Sequence, residues 1–340
     1  MPASPAVSGS APRCGTGCSA PIRGAAEQAP VPEFYLVPKK LARRTPWLAD
    51  LSHRLEGYAF RALFWTIRRL SLENALRLAG AAFALSGRFS DKAQKARDNL
   101  AVAFPDRDEA WREARVREIF RSVGYSAVEL IKLDQIWEER EQRIEFVYEP
   151  RAKTLMENGE AALYMTAHVG PWQVAPMLLR NYGLNMSTIY APESHPVMNE
   201  LMQGLRQSIG EKLISSEAGP RPIMRELRAG NNVIMAMDTR PDQGKLVPFF
   251  GRDALTNTSA AGLALRSGAQ LILGRGERLP GGRYRLTAYD PITSPCPEAD
   301  IKEQSAAITR IIHDHFEQWI REYPGQWVCL KRRWPKKHKL

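Results

Sequence analysis

From about residue 160 onward, short apolar runs alternate with amphipathic segments, and this alternation constrains the fold more than any other feature of the sequence. The apolar runs predict strands at 161–167, 187–191, 212–215, 232–237 and 270–275. The amphipathic segments predict helices at 172–182, 196–208, 220–229, 258–267 and 301–322. Because strands that alternate with helices form parallel sheets covered on both faces, we expect an α/β fold with a mostly parallel central sheet flanked by helices.

A different pattern marks one more strand. Residues 283–289 alternate between polar and apolar side chains directly after Pro280-Gly281-Gly282. A turn followed by clean alternation is typical of a hairpin. We therefore predict an antiparallel or edge strand there.

The strongest candidate for a catalytic group follows the first predicted strand, in the hexapeptide 168–173, which reads HVGPWQ. Gly170 and Pro171 suit the cap and the first position of the next helix, so His168 is expected in a loop at the carboxyl end of a strand. Ligands bind at that edge in open α/β sheets. A histidine there can act as a base, and the positive end of the helix would help to keep it neutral. Such a histidine usually has a carboxylate behind it, and here the position holds Gln173.

Two other segments carry candidate site residues. Residues 234–240 read IMAMDTR, a buried strand that ends in Asp238. Residues 247–252 read VPFFGR, and Thr256 follows before a helix. A loop rich in aromatic residues, Pro and Gly beside a strand-end acid is unusual for a surface turn, although a structural loop that closes the sheet edge is the alternative. Arg206 lies in the helix after strand 187–191, and taken alone it would be a solvated arginine.

The N-terminal part has a different character. Residues 1–32 predict a disordered leader. Residues 33–90 predict basic amphipathic helices, in which Phe60, Leu63, Phe64 and Ile67 follow helical spacing among arginines. That profile is typical of a helix lying in a membrane interface, and an ordinary core-facing helix is the alternative. The longest apolar stretch, 78–87, is shorter than the roughly 18 residues that a transmembrane helix requires.

Charge and motif content narrow the functional classes. The net charge is +11, and residues 331–340 hold six basic groups and no acid. This balance favours an anionic partner such as phospholipid, phosphorylated glycolipid, nucleic acid or an acidic protein, with a merely solubilising tail as the alternative. The four cysteines have no metal-like spacing and no disulfide framework. Serine-hydrolase, phosphate-loop, dinucleotide and nucleic-acid-binding motifs are missing from the sequence. We therefore expect no nucleic-acid partner, no metal and no cofactor.

Several segments together resemble the lipid A biosynthesis acyltransferases, the bacterial lauroyl and myristoyl transferases of the lysophospholipid acyltransferase superfamily. Residues 166–173, TAHVGPWQ, are similar to a T-G-H-x-G-N-W-E pattern, and Asp238-Thr239 is similar to D-Q. Residues 247–252 with Thr256 match closely. So do residues 319–327, WIREYPGQW, and 332–335, RRWP. The resemblance spans roughly residues 55–336.

The resemblance implies a glycerolipid acyltransferase-like fold and an enzyme at the cytoplasmic face of the inner membrane, held there peripherally or monotopically. The enzyme would move a fatty acyl chain from acyl carrier protein or acyl-CoA to a hydroxyl of a lipid A precursor in lipopolysaccharide biosynthesis. Its partners would be the acyl donor, the glycolipid acceptor and an anionic membrane surface. Composition, periodicity and the resemblance together predict a disordered leader (1–32), a basic amphipathic helical membrane-associating region (33–107), an acyltransferase α/β domain (108–335) and a basic tail (336–340).

The resemblance also implies roles for individual residues. His168 is the general base, Gln173 occupies the position of the family's orienting acid, and Asp238 supports the site. The substrate-binding positions that it implies are Arg206, Arg240, Phe249, Phe250, Gly251, Arg252 and Thr256.

Gln173 is the main departure from the family pattern, because an amide can orient an imidazole but cannot offset the charge of an imidazolium. Replacing the acid by its amide costs about 10⁴ in the turnover of serine proteases. Either another acid supports His168, with Asp238 as the first candidate, or catalysis is slow or lost. Three hypotheses stay open: acyl transfer to lipid A, acyl transfer to a lysophospholipid or an amino-acid-derived lipid, and a weakened homologue that binds lipid or acyl carrier protein.

Overall fold

The computed structural model describes residues 36–38, 41, 44–241 and 243–335. The predicted leader, 1–32, and the predicted basic tail, 336–340, lie outside the described residues.

Helices dominate the described residues up to Arg143, and strands alternate with helices after them. The α-helices are α1 Pro46–Arg69, α2 Leu72–Ser86, α3 Asp91–Ala103, α4 Glu109–Ile131, α5 Leu133–Glu138, α6 Arg140–Arg143, α7 Pro150–Glu157, α8 Met177–Arg180, α9 Pro196–Gln207, α10 Pro220–Arg228, α11 Ser259–Ser267 and α12 Ile301–Glu322. The strands are β1 Ile144–Tyr148, β2 Ala162–Thr166, β3 Met186–Tyr190, β4 Glu211–Ser215, β5 Asn232–Ala236, β6 Lys245–Phe249, β7 Arg252–Thr256, β8 Gln270–Leu279 and β9 Arg283–Ala288.

Seven strands form the central sheet, in the order β1-β9-β8-β2-β5-β3-β4. Strands β2, β3, β4, β5 and β8 are mutually parallel, as the alternation with helices predicts. Strand β9 is antiparallel to β8, which confirms an antiparallel strand at 283–289. It is not an edge strand, because β1 pairs with its other side in parallel register.

Helices cover both faces of the sheet, and strand β2 shows how the sequence produces this. Leu163 and Met165 point into one buried cluster, which contains side chains of α3, α11 and α12. Ala162 and Tyr164 point into a second cluster on the opposite face, which contains side chains of α5 and α7. Because successive side chains of a strand face opposite ways, a strand buried on both faces reads as a continuous apolar run.

Three parts of the described structure differ from the sequence predictions. The predicted helix 172–182 is a series of turns over residues 172–176, followed by the short helix α8. Pro176 accounts for this, because proline lacks an N–H and clashes with the preceding turn of a helix. Strand β1 and the hairpin β6–β7 were not predicted, and the hairpin contains the aromatic-rich segment that reads as a loop in the sequence.

The N-terminal helices pack on the α/β part and leave a second apolar face outside. Helix α2 lies against α4 so closely that a Cβ on Gly124 would meet the Ala79 carbonyl oxygen at 2.6 Å. Thus the helices on either side of the predicted boundary at 107 are in contact. Phe64 of α1 is buried, whereas Leu63 is 51% exposed. No helix in the described ranges combines the length and apolar character needed to cross a bilayer.

A row of exposed apolar side chains runs along α1, and we call it the outer stripe. Its members are Trp47, Leu51, Leu55, Tyr58 and Trp65, which are between 44% and 69% exposed. Their spacing of three, four or seven residues places them on one face of the helix.

Candidate active site

The sheet register brings His168 and Asp238 together. Thr166 at the end of β2 pairs with Ala236 at the end of β5, two neighbouring parallel strands. Each candidate residue lies two positions beyond its strand end, so the two side chains meet at the carboxyl edge of the sheet. His168 Nδ1 lies 2.7 Å from Asp238 Oδ1, which also accepts the His168 backbone N–H at 3.0 Å.

Asp238 is buried, with a side chain only 2% exposed, and it accepts a third hydrogen bond. Its Oδ2 accepts the indole N–H of Trp327 at 3.0 Å. Because every partner of this carboxylate is a donor, the neutral His168 ring carries its proton on Nδ1 and its lone pair on Nε2. The His168 side chain is 29% exposed, so the ring is accessible to a ligand.

The two groups shift each other's pKa in opposite directions. Burial opposes the charged imidazolium, but the negative charge of Asp238 and its hydrogen bond outweigh burial and raise the pKa of His168 above 6.5. Burial likewise opposes the Asp238 carboxylate, yet the His168 charge and three donated hydrogen bonds hold its pKa below 3.8. The pair therefore favours a proton on the imidazole, which makes His168 a stronger base than an ordinary histidine.

Gln173 does not make the contact that the sequence motif predicts for an acid in its place. Among the described residues, its side chain has no hydrogen bond to His168, and Asp238 occupies the Nδ1 side of the ring instead. The predicted helix end that would keep His168 neutral is also missing, because residues 172–176 form turns. The main charged partner of His168 is therefore Asp238, and no helix terminus takes that role.

A cleft of about 320 Å³ opens beside His168. Its walls come from the carboxyl ends of β2, β3 and β5, from Ser216 beyond β4, and from the C-terminal segment 327–333. Cys329 lines this cleft, but burial strongly raises the pKa of its thiol. It therefore remains protonated at neutral pH and is a poor nucleophile.

The C-terminal segment is attached directly to the histidine loop. The Val328 N–H donates to the His168 carbonyl at 2.8 Å, and the Gly170 N–H donates to the Gln326 carbonyl at 3.3 Å. Gly170 has a φ of 66°, and a Cβ at this position would lie 2.5 Å from the Gly276 carbonyl oxygen. Only glycine fits such a left-handed, crowded position, which explains the glycine two residues after His168.

The hairpin β6–β7 supports the site from behind. Its two-residue loop, Phe250-Gly251, has positive φ at both positions, 52° and 68°, as a tight hairpin of this hand requires. The Phe250 N–H donates to the buried Glu317 carboxylate at 2.6 Å, and its ring stacks on Trp327 at 6.3 Å between centroids. Phe250 thus packs against the indole that holds Asp238.

The remaining predicted residues of this hairpin lie at different depths. The Phe249 and Thr256 side chains are fully buried, whereas Arg252 is exposed. Phe249 and Thr256 both contact Arg333, which is only 1% exposed and lines the cleft. Substrate binding by Phe249 and Thr256 remains a prediction. In this arrangement, the two side chains would affect a substrate through Arg333.

Arg333 and Trp327 were not predicted as site residues, although both lie in the C-terminal motifs. Arg333 donates to the Leu255 carbonyl at 2.6 Å and to Thr256 Oγ1 at 2.7 Å. Burial lowers the pKa of its guanidinium to about 10. Burial also lowers the pKa of the neighbouring His313 to about 4, so this histidine is neutral and packs as a structural residue.

The two other predicted arginines do not line the cleft. Arg206 lies near the C-terminus of α9 and interacts electrostatically with the buried Glu211, the first residue of β4. That end of the strand is opposite the cleft edge. Burial raises the pKa of Glu211 to about 7. Arg240 is half-buried two residues beyond Asp238. Contact of either arginine with substrate remains a prediction.

Comparison with known proteins identifies the family. Residues 50–336 match the family described as bacterial lipid A biosynthesis acyltransferase. The chain is 24% identical over 235 residues to the lipid A biosynthesis myristoyltransferase of Escherichia coli (strain K12), covering 68% of this chain and 72% of that protein. It is 26% identical over 187 residues to a phosphatidylinositol mannoside acyltransferase of Mycobacterium tuberculosis, covering 52% of this chain and 55% of that protein.

Among solved structures, the 1-acyl-sn-glycerophosphate acyltransferase PlsC of Thermotoga maritima matches with 14% identity and a TM-score of 0.33, covering 65% of this chain and 91% of that one. The family match by itself identifies the protein as an acyltransferase, and its fold is α/β. More particularly, the chain belongs to the bacterial lipid A biosynthesis acyltransferase family. The resemblance carried by the sequence motifs is thereby confirmed.

Proposed function

We propose that this protein transfers a fatty acyl chain from an acyl thioester, on acyl carrier protein or coenzyme A, to a hydroxyl of a lipid A precursor. The observation that carries this proposal is the His168–Asp238 pair, whose second ring nitrogen is available as a base beside an open cleft. Family membership supplies the reaction class, and the names of the relatives supply the acceptor class.

In the proposed mechanism, His168 Nε2 accepts the proton of the acceptor hydroxyl as its oxygen attacks the thioester carbonyl. The resulting tetrahedral intermediate collapses to the ester, and the thiolate of the donor leaves. The imidazolium returns its proton to that thiolate, so the enzyme ends in its starting state. Asp238 orients the ring and offsets the imidazolium charge during the step, as the carboxylate of a serine-protease triad does.

Direct transfer, without an acyl-enzyme, is favoured by the surroundings of His168. A serine or cysteine nucleophile would need a hydrogen bond to the base. Within the described residues, neither Ser216 nor Cys329 makes one to the imidazole, and burial keeps the Cys329 thiol protonated.

A second acceptor class is favoured by one comparison. The phosphatidylinositol mannoside acyltransferase of Mycobacterium tuberculosis, by its name, acylates a different glycolipid. Transfer to a non-lipid A acceptor, including a lysophospholipid or an amino-acid-derived lipid, is therefore the alternative.

We also propose that α1 and α2 hold the protein on the cytoplasmic face of the inner membrane. The outer stripe carries exposed Trp and Tyr rings, and Leu78, Leu85 and Phe89 extend the exposed apolar surface on and after α2. Exposed Arg54, Arg61 and Arg69 lie among these side chains along α1. Aromatic and basic residues on one helix face suit an anionic lipid interface.

The orientation of α1 would place the cleft near that interface. Glu56 is on the inner face of α1, and its Oε2 atom lies 3.0 Å from Nε2 of the fully buried His195. His195 follows the cleft residue Ala191 by four positions. The proposed membrane helix is therefore attached close to the cleft rim, where a lipid acceptor would enter.

The catalytic proposal is tested with purified protein, a fatty acyl thioester of acyl carrier protein or of coenzyme A, and a lipid A precursor in mixed micelles. We expect ester formation detected by mass spectrometry, its loss in His168→Ala, and its retention in the matched control His315→Ala. Transfer only to lysophospholipid or mannosylated acceptors would support the alternative. Absence of transfer to every acceptor, or full activity of His168→Ala, would overturn the mechanism.

The membrane proposal is tested by co-sedimentation with vesicles of neutral and anionic phospholipid. We expect the double variant Trp47→Ser/Trp65→Ser to bind at least tenfold more weakly than the wild type to anionic vesicles. Leu246→Ser is the control, because Leu246 is a similarly exposed apolar side chain, 55% exposed, that belongs to β6 and not to α1 or α2. Equal binding of all three proteins would rule out the outer stripe as the contact surface.

A further inference from the structure

Asn99, on the inner face of α3, makes an unusual set of contacts with a distant part of the chain. It is 1% exposed. Its Nδ2 donates to the Cys329 carbonyl at 2.9 Å and to the Lys331 carbonyl at 2.8 Å. Its Oδ1 accepts the Arg333 N–H at 2.9 Å. One amide side chain therefore satisfies three backbone groups within five residues.

These five residues form one wall of the cleft. Cys329, Lys331 and Arg333 line it together with His168. Beyond the Val328 bond to His168, residues 329–335 belong to no helix or strand, so no strand ladder fixes the position of their backbone groups. The neighbouring Asp98 adds an ion pair to Arg332 at 2.8 Å. Helix α3 thus supplies the contacts that a sheet would otherwise supply.

The position of this wall affects the catalytic histidine. Lys331 is exposed in the cleft, and its positive charge acts on His168. The charged groups that bear on the imidazole are Asp238 beside it and Lys331 on the wall, and Arg333 is the other cation of the cleft. A displacement of the wall would therefore change both the shape of the cleft and the charge that His168 experiences.

We propose that Asn99 is a positioning residue for acyl transfer, which fixes the cleft wall 329–333 so that the Lys331 charge stays in the cleft with His168. The inference rests on the proposed function of His168. An ordinary buried asparagine that only stabilises the fold is the alternative, and the chain contains a good example of one.

Asn232 provides that matched control. It is 2% exposed, accepts the Ala162 N–H at 3.0 Å and donates to the Asn185 carbonyl at 3.0 Å. It is thus also a buried amide that joins backbone segments. However, it begins β5 at the edge of the sheet opposite the cleft. Asn232→Ala removes comparable hydrogen bonds without touching the site.

The experiment compares Asn99→Ala, Asn232→Ala, Lys331→Met and the double variant Asn99→Ala/Lys331→Met, at a temperature where unfolding curves show all of them folded. The readouts are kcat and KM for acyl transfer, and the pKa of His168 by NMR of histidine-labelled protein. The NMR readout needs no substrate. The NMR result can therefore overturn the role of Asn99 even if the proposed reaction is wrong. Failure of the proposed reaction would instead appear as an inactive wild type.

We expect Asn99→Ala to lower kcat/KM by about 10²-fold, the effect of a small misplacement in an active site. We also expect both Asn99→Ala and Lys331→Met to raise the pKa of His168, because each removes the Lys331 charge from its place in the cleft. The double variant should show no further rise. Asn232→Ala should change neither readout. If Asn99→Ala fails to fold, Asn99→Ser carries the same readouts, since it keeps a neutral polar side chain at this position and adds no charge that would itself shift the pKa of His168. Behaviour of the Asn99 variant identical to that of Asn232→Ala would overturn the proposal.

Discussion

Replacement of Asp238 by asparagine tests the catalytic proposal most directly. The carboxylate has three partners, the ring and backbone N–H groups of His168 and the indole N–H of Trp327, and all three are donors. Asparagine offers a single acceptor oxygen and an NH₂ group. In one orientation its NH₂ opposes the Trp327 N–H. In the other it opposes His168, which moves the ring proton to Nε2 and removes the base.

The expected size of the effect follows from this geometry. If the amide holds the correct tautomer, only the charge is lost. If it selects the wrong tautomer, the loss approaches the factor of about 10⁴ seen for the same change in serine proteases. We therefore expect kcat to fall by about 10²- to 10⁴-fold. A buried donor without a partner also costs about 1–3 kcal/mol, which should lower the free energy of unfolding by that amount.

The assay measures single-turnover acyl transfer and urea unfolding of Asp238→Asn, with Gln173→Ala as the matched control. Gln173 lies in the family's acid position but has no hydrogen bond to His168 in the described structure, so its removal should change kcat by less than about threefold. The opposite pattern, with Asp238→Asn nearly fully active and Gln173→Ala reduced 100-fold, would refute the assignment of Asp238 as the orienting acid.

Three further expectations follow from the same site. Gln173→Glu should preserve activity, because Asp238 already supplies the carboxylate on the Nδ1 side of His168, and loss of transfer would show that position 173 contributes to the site after all. In the wild type, kcat/KM should fall as the pH drops through the raised pKa of His168, above 6.5, because the protonated ring cannot accept a proton; Asp238→Asn should move that midpoint to lower pH, and an unchanged midpoint in a pH-rate profile would count against the pairing. Phe250→Gly should lower the free energy of unfolding by about 2–4 kcal/mol, since the lost aromatic packing on Trp327 exceeds the relief of the positive φ, and a more stable variant in urea would contradict this.

The sheet and the position of His168 could be predicted from the sequence because their signals are local. A strand buried on both faces is a short apolar run, and β2 and β5 both have this form. Once these strands are adjacent and parallel, the residues two positions beyond each end meet. The partnership of His168 and Asp238 therefore follows from topology. The sequence motif alone left this partnership as one of several possibilities, because the acid position of the motif is Gln173.

Other elements could not be predicted because their signals lie far away in the sequence. Strand β1 has five residues, and its partner in the described sheet is β9, about 140 positions later. The aromatic segment 247–252 resembles a loop in the sequence. The residues that hold it as a hairpin, Trp327 and Glu317 of α12, lie more than 60 positions later. The turn at 172–176 is a different case, since Pro176 was visible and argues against a helix there.

Helix α1 shows that hydrophobic periodicity can identify apolar faces of a helix without showing which face is buried. The sequence identifies Phe60, Leu63, Phe64 and Ile67 as an apolar set, and the structure buries only Phe64 among them. The outer stripe is a second apolar set on the same helix, and periodicity cannot say which of the two faces the protein. A helix with one apolar face needs one apolar partner, and the protein core supplies it here. A helix with two needs a second partner, and an exposed row that includes two tryptophans and a tyrosine is the composition that a membrane interface stabilises. The case for membrane contact therefore rests on the side chains that the core leaves exposed, and not on those that first suggested it.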